Sequence, residues 1–376
     1  MTDFAAEGLL DGLEGEARAA RRGLLERLES EGVPLEELRN AVAAGRLALL
    51  PVEHAIAGDG ARYSAREIAA RSGLDVELLR RFRAALGVPY ADPDEPVGTE
   101  ADLEAALRTK AILDAGFPAE ELLRNARTIG MGMGRIAEAN RELVVRNMTQ
   151  PGDTERDVAD RLALAAEQLL PLVRDTLAYA FQANLLEQVK RDVIAAADLE
   201  SGALGGAVER TVCFADLVEF TRLGEEIAPE ELGLVAGRLE EMATAVAEPP
   251  VRLVKTIGDA VMLISPEARA LAEAALALIA AAEAEGEEFP WLRAGLATGL
   301  TLPQSGDYYG RAVNLASRIT GVARPGSILV DEVTRGAAGE DGFAYSFAGE
   351  RRLKGIDSRV KLFRIRSAED ARRGRG

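Results

Sequence analysis

Two aspartates stand where the chain leaves a strand. Asp216 follows the strand-like run Thr211–Ala215, and Asp259 sits in the tight Gly258-Asp259 turn between the strand-like runs Val251–Val254 and Ala260–Ile264. If those strands are neighbours, both carboxylates converge on one end of a sheet. Two hard oxygen ligands without a histidine partner suit Mg²⁺ or Mn²⁺, which bind one or two carboxylates together with substrate phosphates. Taken singly, each is also an ordinary turn or helix-capping aspartate. Asn314 and Arg318 lie four apart, so one helical face presents both. Other chemistries are closed by residue counts. A single histidine, His54, excludes zinc sites and triads that need several, and a single cysteine, Cys213, excludes an internal disulfide or a Cys-rich zinc site.

The words around these residues sharpen the reading. Phe214-Ala215-Asp216-Leu217-Val218-Glu219-Phe220-Thr221 resembles the first metal motif of the class III nucleotidyl cyclases. Lys255-Thr256-Ile257-Gly258-Asp259-Ala260-Val261-Met262 resembles the second, and the stretch from Gly306 to Arg318 (Gly-Asp-Tyr-Tyr-Gly-Arg-Ala-Val-Asn-Leu-Ala-Ser-Arg) the third. They occur in the family's order, and the similarity spans about residues 208–366. The resemblance implies a ferredoxin-like α+β domain that works as a homodimer and makes cyclic nucleotide plus pyrophosphate. It implies two ions, Mg²⁺ or Mn²⁺, held by Asp216 and Asp259 in each site. It places Asn314 on the ribose, Arg318 at the α-phosphate and the segment Leu217–Thr221, with Phe220 and Thr221, beside the triphosphate. Lys255 with Asp307 marks adenine selection, so ATP is the expected substrate. Lysine and aspartate complement the N1 acceptor and N6 donor of adenine. Lys354, in Leu353-Lys354-Gly355, resembles the family's late phosphate-binding lysine, with Lys361 as a competing candidate. The resemblance also divides the site between subunits: Asp216 and Asp259 from one, Lys255, Asp307, Asn314 and Arg318 from the other. A C2 homodimer then forms two equivalent sites. The chain departs from the family at Glu219, where a glycine is usual, and in a short arm between Thr298 and Gly306.

The elements that must carry these residues follow from hydrophobic periodicity. Strands are expected at Thr211–Ala215, Val251–Val254, Ala260–Ile264, Leu292–Thr298, Ser327–Val330 and Lys361–Ile365, and helices at Pro229–Ala247, Glu267–Glu285 and Ala312–Thr320. This mixture reads as an α/β or α+β domain over 207–368, and the resemblance implies that it is an α+β, ferredoxin-like cyclase catalytic domain, with a tail at 369–376. Residues 1–184 are rich in Ala, Leu, Glu and Arg and read as all-α, and the resemblance to bacterial class III cyclases with an all-helical domain ahead of the catalytic one implies a regulatory domain. Its breaks fall at Gly58-Asp59-Gly60, Gly87–Gly98, Gly116-Phe117-Pro118 and Gln150–Asp153. Pro171 is expected to kink a helix or start a new one. A helical linker, 185–206, ends in the glycine-rich boundary Ser201–Gly206 and would transmit regulation.

Within the first half, residues 63–125 resemble a MerR-type helix-turn-helix. Tyr63–Leu74 opens it, Gly73 makes the turn, and Val76–Leu86 takes the recognition-helix place with Arg80, Arg81 and Arg83. Charge argues against DNA. The chain carries −17 overall, about −12 of it in the first 200 residues, where a DNA reader needs a basic face. A helical scaffold used for regulation is the preferred reading. Its effector, a small molecule or pH, is not readable: Ile129–Gly134 is either an apolar pocket lining or a loop or close helix contact, and His54 beside Glu53 is a thin pH sensor. No run reaches the roughly 18 apolar residues of a membrane span, and Met1-Thr2-Asp3 lacks a basic signal-peptide region, so a cytoplasmic enzyme is expected. The sequence thus supports an adenylate cyclase regulated by its N-terminal domain. The alternatives are a guanylate or weakly selective cyclase, and a DNA-binding or signalling regulator with an inactive cyclase-like domain.

Overall fold

The computed structural model describes residues 2–57, 61–199, 206–286, 288–304 and 306–373, and side chains for all of these but 191–199 and 370. The chain divides into two units, residues 1–198 and 199–376. The Gly58-Asp59-Gly60 break and, apart from Gly206, the glycine-rich boundary lie outside the described residues.

The first unit is helical. Its elements are α1 (Gly15–Ser30), α2 (Leu35–Ala43), α3 (Leu50–Ala57), α4 (Ala65–Ser72), α5 (Val76–Ala85), α6 (Glu100–Asp114), α7 (Ala119–Met148) and α8 (Glu155–Leu199). Leu24, Leu25 and Leu28 of α1 pack with Leu10, Leu38 and Ala159 into one core, while Ile68, Leu79 and Leu103 form a second beneath α4–α6. Side chains fix the helix starts. Ser64 and Glu67 make a reciprocal capping box on α4, Asp75 accepts from two amides of α5, and Thr99 with Asp102 repeats the box on α6. Gly73 (φ 75°) ends α4 in left-handed backbone and makes the turn into α5. Two expectations are corrected. Pro171 starts no new helix: it lies inside the continuous α8. Ile129–Gly134 is no loop but part of α7, where Gly130 lets the helix close on its neighbour. A β-carbon there would stand 2.5 Å from the Ala85 carbonyl oxygen, so the close helix contact is the surviving reading.

The second unit runs β1 (Val208–Leu217), α9 (Phe220–Glu226), α10 (Pro229–Ala245), β2 (Arg252–Ile257), β3 (Ala260–Ser265), α11 (Ala268–Ala284), β4 (Leu292–Gln304), β5 (Asp307–Tyr309), α12 (Arg311–Thr320), β6 (Ile328–Asp331), α13 (Glu332–Ala338), β7 (Phe343–Arg352), β8 (Arg359–Ser367) and α14 (Ala368–Arg373). The sheet order is β2-β3-β1-β4-β6-β8-β7, with β5 folded back on β4. Strands β1 to β4 with α10 and α11 are a βαββαβ unit of antiparallel pairs, the ferredoxin-like arrangement. Alternation along β1 sends Cys213, Ala215 and Leu217 into the core beneath α10 and α11, and Val212 toward α12 on the opposite face. Asp216 is therefore on the α12 face. Gly295 of β4 permits α12 to sit there, because a β-carbon would stand 2.3 Å from the Thr320 amide nitrogen.

Candidate functional site

Antiparallel pairing makes the carboxylate pair. Asp216 is the next-to-last residue of β1 and lies opposite Ala260 of β3, so the β2–β3 turn delivers Asp259 beside it. The Leu217 amide donates to the Asp259 carbonyl at 3.0 Å and locks the turn to the strand end. Burial, and next the negative charge of Asp216, raise the Asp259 carboxyl above its usual value. The same register places Arg293 of β4 opposite Asp216. Its Nε and Nη2 donate to one oxygen, Asp216 Oδ2, at 3.1 and 2.6 Å. Sequence reasoning missed Arg293, although a lone charge in the apolar run Leu292–Thr298 was its signal.

A divalent cation fits this pair. The donors are hard oxygens, they are half-buried, and their mutual repulsion is the kind a bound cation relieves. Among the described residues no group of three or more His, Cys, Asp or Glu side chains gathers as a metal site, so the remaining ligands would come from substrate and water.

A second group lies on β2 and β5. Lys255 donates its ammonium protons to Asp307 in a half-buried ion pair, and Asp307 Oδ1 also accepts from the Tyr308 amide at 2.8 Å. Asn314 and Arg318 project from exposed positions of α12, and neither side chain has a partner among the described residues. Lys354 is exposed between β7 and β8 and has no ion-pair partner among the described residues. Lys361, its competitor, is taken by Glu332 at 3.1 Å. Phe220 is half-buried against the core and Thr221 is exposed at the start of α9. Among the described residues, no hydrogen bond or ion pair joins the Asp216–Asp259–Arg293 group to Lys255–Asp307, Asn314, Arg318 or Lys354.

Glu219 corrects one expectation. A β-carbon in the glycine's place is tolerated where φ is negative, but here φ is 60° and ψ 20°. The family's glycine is explained by that conformation. The carboxylate is exposed and pairs with Arg222 at 3.1 Å.

In the first unit, α4 passes through the Gly73 turn into α5, at the place of the expected helix-turn-helix. Its arginines are engaged: Arg80 with Glu77 at 2.9 Å, Arg81 with Glu120 at 2.6 Å, and Arg83 with Asp102. Moreover α5 packs against α7 through Phe82, Leu123 and Ala126. His54 Nε2 lies 3.2 Å from Glu37 Oε1, not against Glu53, which pairs with Arg46. No helix among the described residues is long and apolar enough to cross a membrane.

Comparison with known proteins covers nearly the whole chain. Residues 2–189 match the adenylate cyclase regulatory domain, and residues 207–367 match the adenylate and guanylate cyclase catalytic domain. A pH-sensitive adenylate cyclase of Mycobacterium tuberculosis is 40% identical over 97% of this chain and 94% of its own. An adenylate cyclase of Streptomyces coelicolor is 35% identical over 75% of this chain and 73% of its own. An uncharacterized protein of Mycobacterium bovis is 31% identical over 94% of this chain and 92% of its own.

Proposed function

This chain belongs to the class III adenylate cyclases, with a regulatory domain preceding the catalytic domain, and from that premise we propose that it converts ATP to 3′,5′-cyclic AMP and pyrophosphate at a site shared between two copies. The observation that carries the reading is the Lys255–Asp307 ion pair, on a chain that also sets Asp216 beside Asp259. Asp216 and Asp259 would hold two Mg²⁺ or Mn²⁺ ions, which supply neutralisation of triphosphate charge and a more acidic ribose 3′-hydroxyl.

The remaining work falls to this chain's own groups. Lys255 donates to adenine N1 and Asp307 accepts from the N6 amine, so a base with the reverse pattern leaves both unsatisfied. Asn314 holds the ribose so that its 3′-oxygen faces the α-phosphate, and Arg318, one helical turn on, meets the charge that gathers there. Lys354, with Phe220 and Thr221 at the start of α9, holds the β- and γ-phosphates that depart as pyrophosphate. Asp216 and Asp259 come from one subunit and the purine and ribose groups from the other. The helical unit 1–184 sets the activity, through α8, in response to a small molecule or pH.

Complementation tests the shared site. Asp216→Ala and Arg318→Ala full-length chains, each inactive alone, are expected to recover cyclic AMP production when mixed, because a mixed dimer retains one intact site. Mixing without recovery, in dimers shown to exchange, overturns the arrangement.

A further inference from the structure

Among the described residues, Glu219 is the one residue other than glycine in left-handed backbone. L residues rarely persist there, and strain of this kind is retained where function holds it. Its surroundings prevent relaxation. The Leu217 amide is bound to Asp259 and the Val218 amide donates to the Trp291 carbonyl at 2.8 Å. The Glu219 carbonyl accepts from Leu223 at 3.0 Å. A change of φ would therefore drag the Asp259 turn or the entry to β4.

The side chain has a defined place. It lines a cavity of about 390 Å³ with Arg222, Leu223, Glu226, Phe289 and Trp291, and neither Asp216 nor Asp259 is in its wall. Arg222 bridges two carboxylates there, Glu219 at 3.1 Å and Glu226 at 3.4 Å. Glu219 is 62% exposed, so its charge is reached by solvent but not removed by it.

Resting on the cyclase reading above, we propose that Glu219 sets the affinity of the site for ATP. Its carboxylate, three residues beyond Asp216, adds like charge near a polyanionic substrate, and Arg222 screens it. The triphosphate is highly charged both before and during the reaction, so the repulsion acts on ground and transition states alike. It therefore appears in KM and not in kcat. At this exposure the effect is a few-fold and salt-dependent.

The test measures KM and kcat for Mg-ATP with the full-length chain at low and high salt. Glu219→Gln keeps the side-chain size and the backbone demand, and removes only charge. It is expected to lower KM by about two- to fivefold at low salt. Arg222→Ala is expected to raise KM by a similar factor, and the double variant to return to the Glu219→Gln value. High salt should compress these differences, with kcat within about twofold throughout. An unmoved KM in Glu219→Gln, or equal KM values for Arg222→Ala and the double variant, overturns the proposal alone. A wild-type chain that makes no cyclic AMP overturns the cyclase reading and this proposal with it.

Discussion

In the proposed reading, Asp307 is the side chain on which the choice of base turns. It pairs with Lys255, so each charge satisfies the other. Adenine must replace that bond with two of its own, and a base offering a donor at N1 cannot. Asp307→Ala removes the acceptor and leaves Asp216 and Asp259 untouched. The ratio of kcat/KM for ATP over GTP is expected to fall by about tenfold or more, within the range of lost hydrogen-bond discrimination. An unchanged ratio would move base selection elsewhere. Cys213 gives a second check at this scale. It is fully buried on the face of β1 beneath α10 and α11, and burial pushes its thiol up to about 12. An alkylating reagent at pH 8 is expected to leave the native chain unmodified and to label it only after denaturation. Native labelling at the rate of a free thiol would place Cys213 outside the core. Residues with turn and strand context, such as Asp216 and Asp259, were legible in the sequence. Arg293 was not, because its meaning lies in a β1–β4 register that no local spacing encodes.

Elements were legible where periodicity was local. The helices α10, α11 and α12 and the strand β3 follow their apolar patterns closely, while β1, β2 and β4 run several residues beyond theirs. The edge strand β7 was missed: Phe343–Arg352 is mostly half-exposed, carries a bulge near Gly349 and ends in Glu350, Arg351 and Arg352, which dilute the alternation. The continuity of α7 was missed because three glycines read as a break. They are not equivalent in the structure. A β-carbon on Gly130 would stand within 2.8 Å of the backbone of Ala85 and Leu86, while one on Gly132 would meet nothing within 4 Å. Gly130→Ala is therefore expected to destabilise the chain by about 1–3 kcal/mol through overpacking of α5 against α7. Gly132→Ala, on an open helix face, should stabilise it by up to about 1 kcal/mol. Denaturant unfolding of the two variants separates them. A common sign would mean that propensity, not the α5–α7 contact, governs this helix.

The whole molecule has an unmet demand on α8. Between Leu170 and Val189 it exposes Leu170, Leu172, Tyr179, Phe181, Leu185, Leu186 and Val189. A helix apolar over so much of its surface is not stable in water without a partner. Leu172, Tyr179 and Leu186 recur at seven-residue intervals, the repeat of a two-stranded seam. The proposed homodimer is a partner the chain always has at hand, and a C2 axis would bring each α8 stripe against its own copy. A seam in register would also hold two catalytic domains at high local concentration, so that weak contacts between those domains suffice. Replacing Leu172, Tyr179 and Leu186 with Glu places like charges along that stripe and spares every residue assigned to the site. Sedimentation at micromolar concentration is expected to show the variant as a monomer, with cyclic AMP production falling by about tenfold or more and rising again with protein concentration as catalytic domains meet by diffusion. A variant that stays dimeric at full activity would show that the catalytic domains alone hold the dimer.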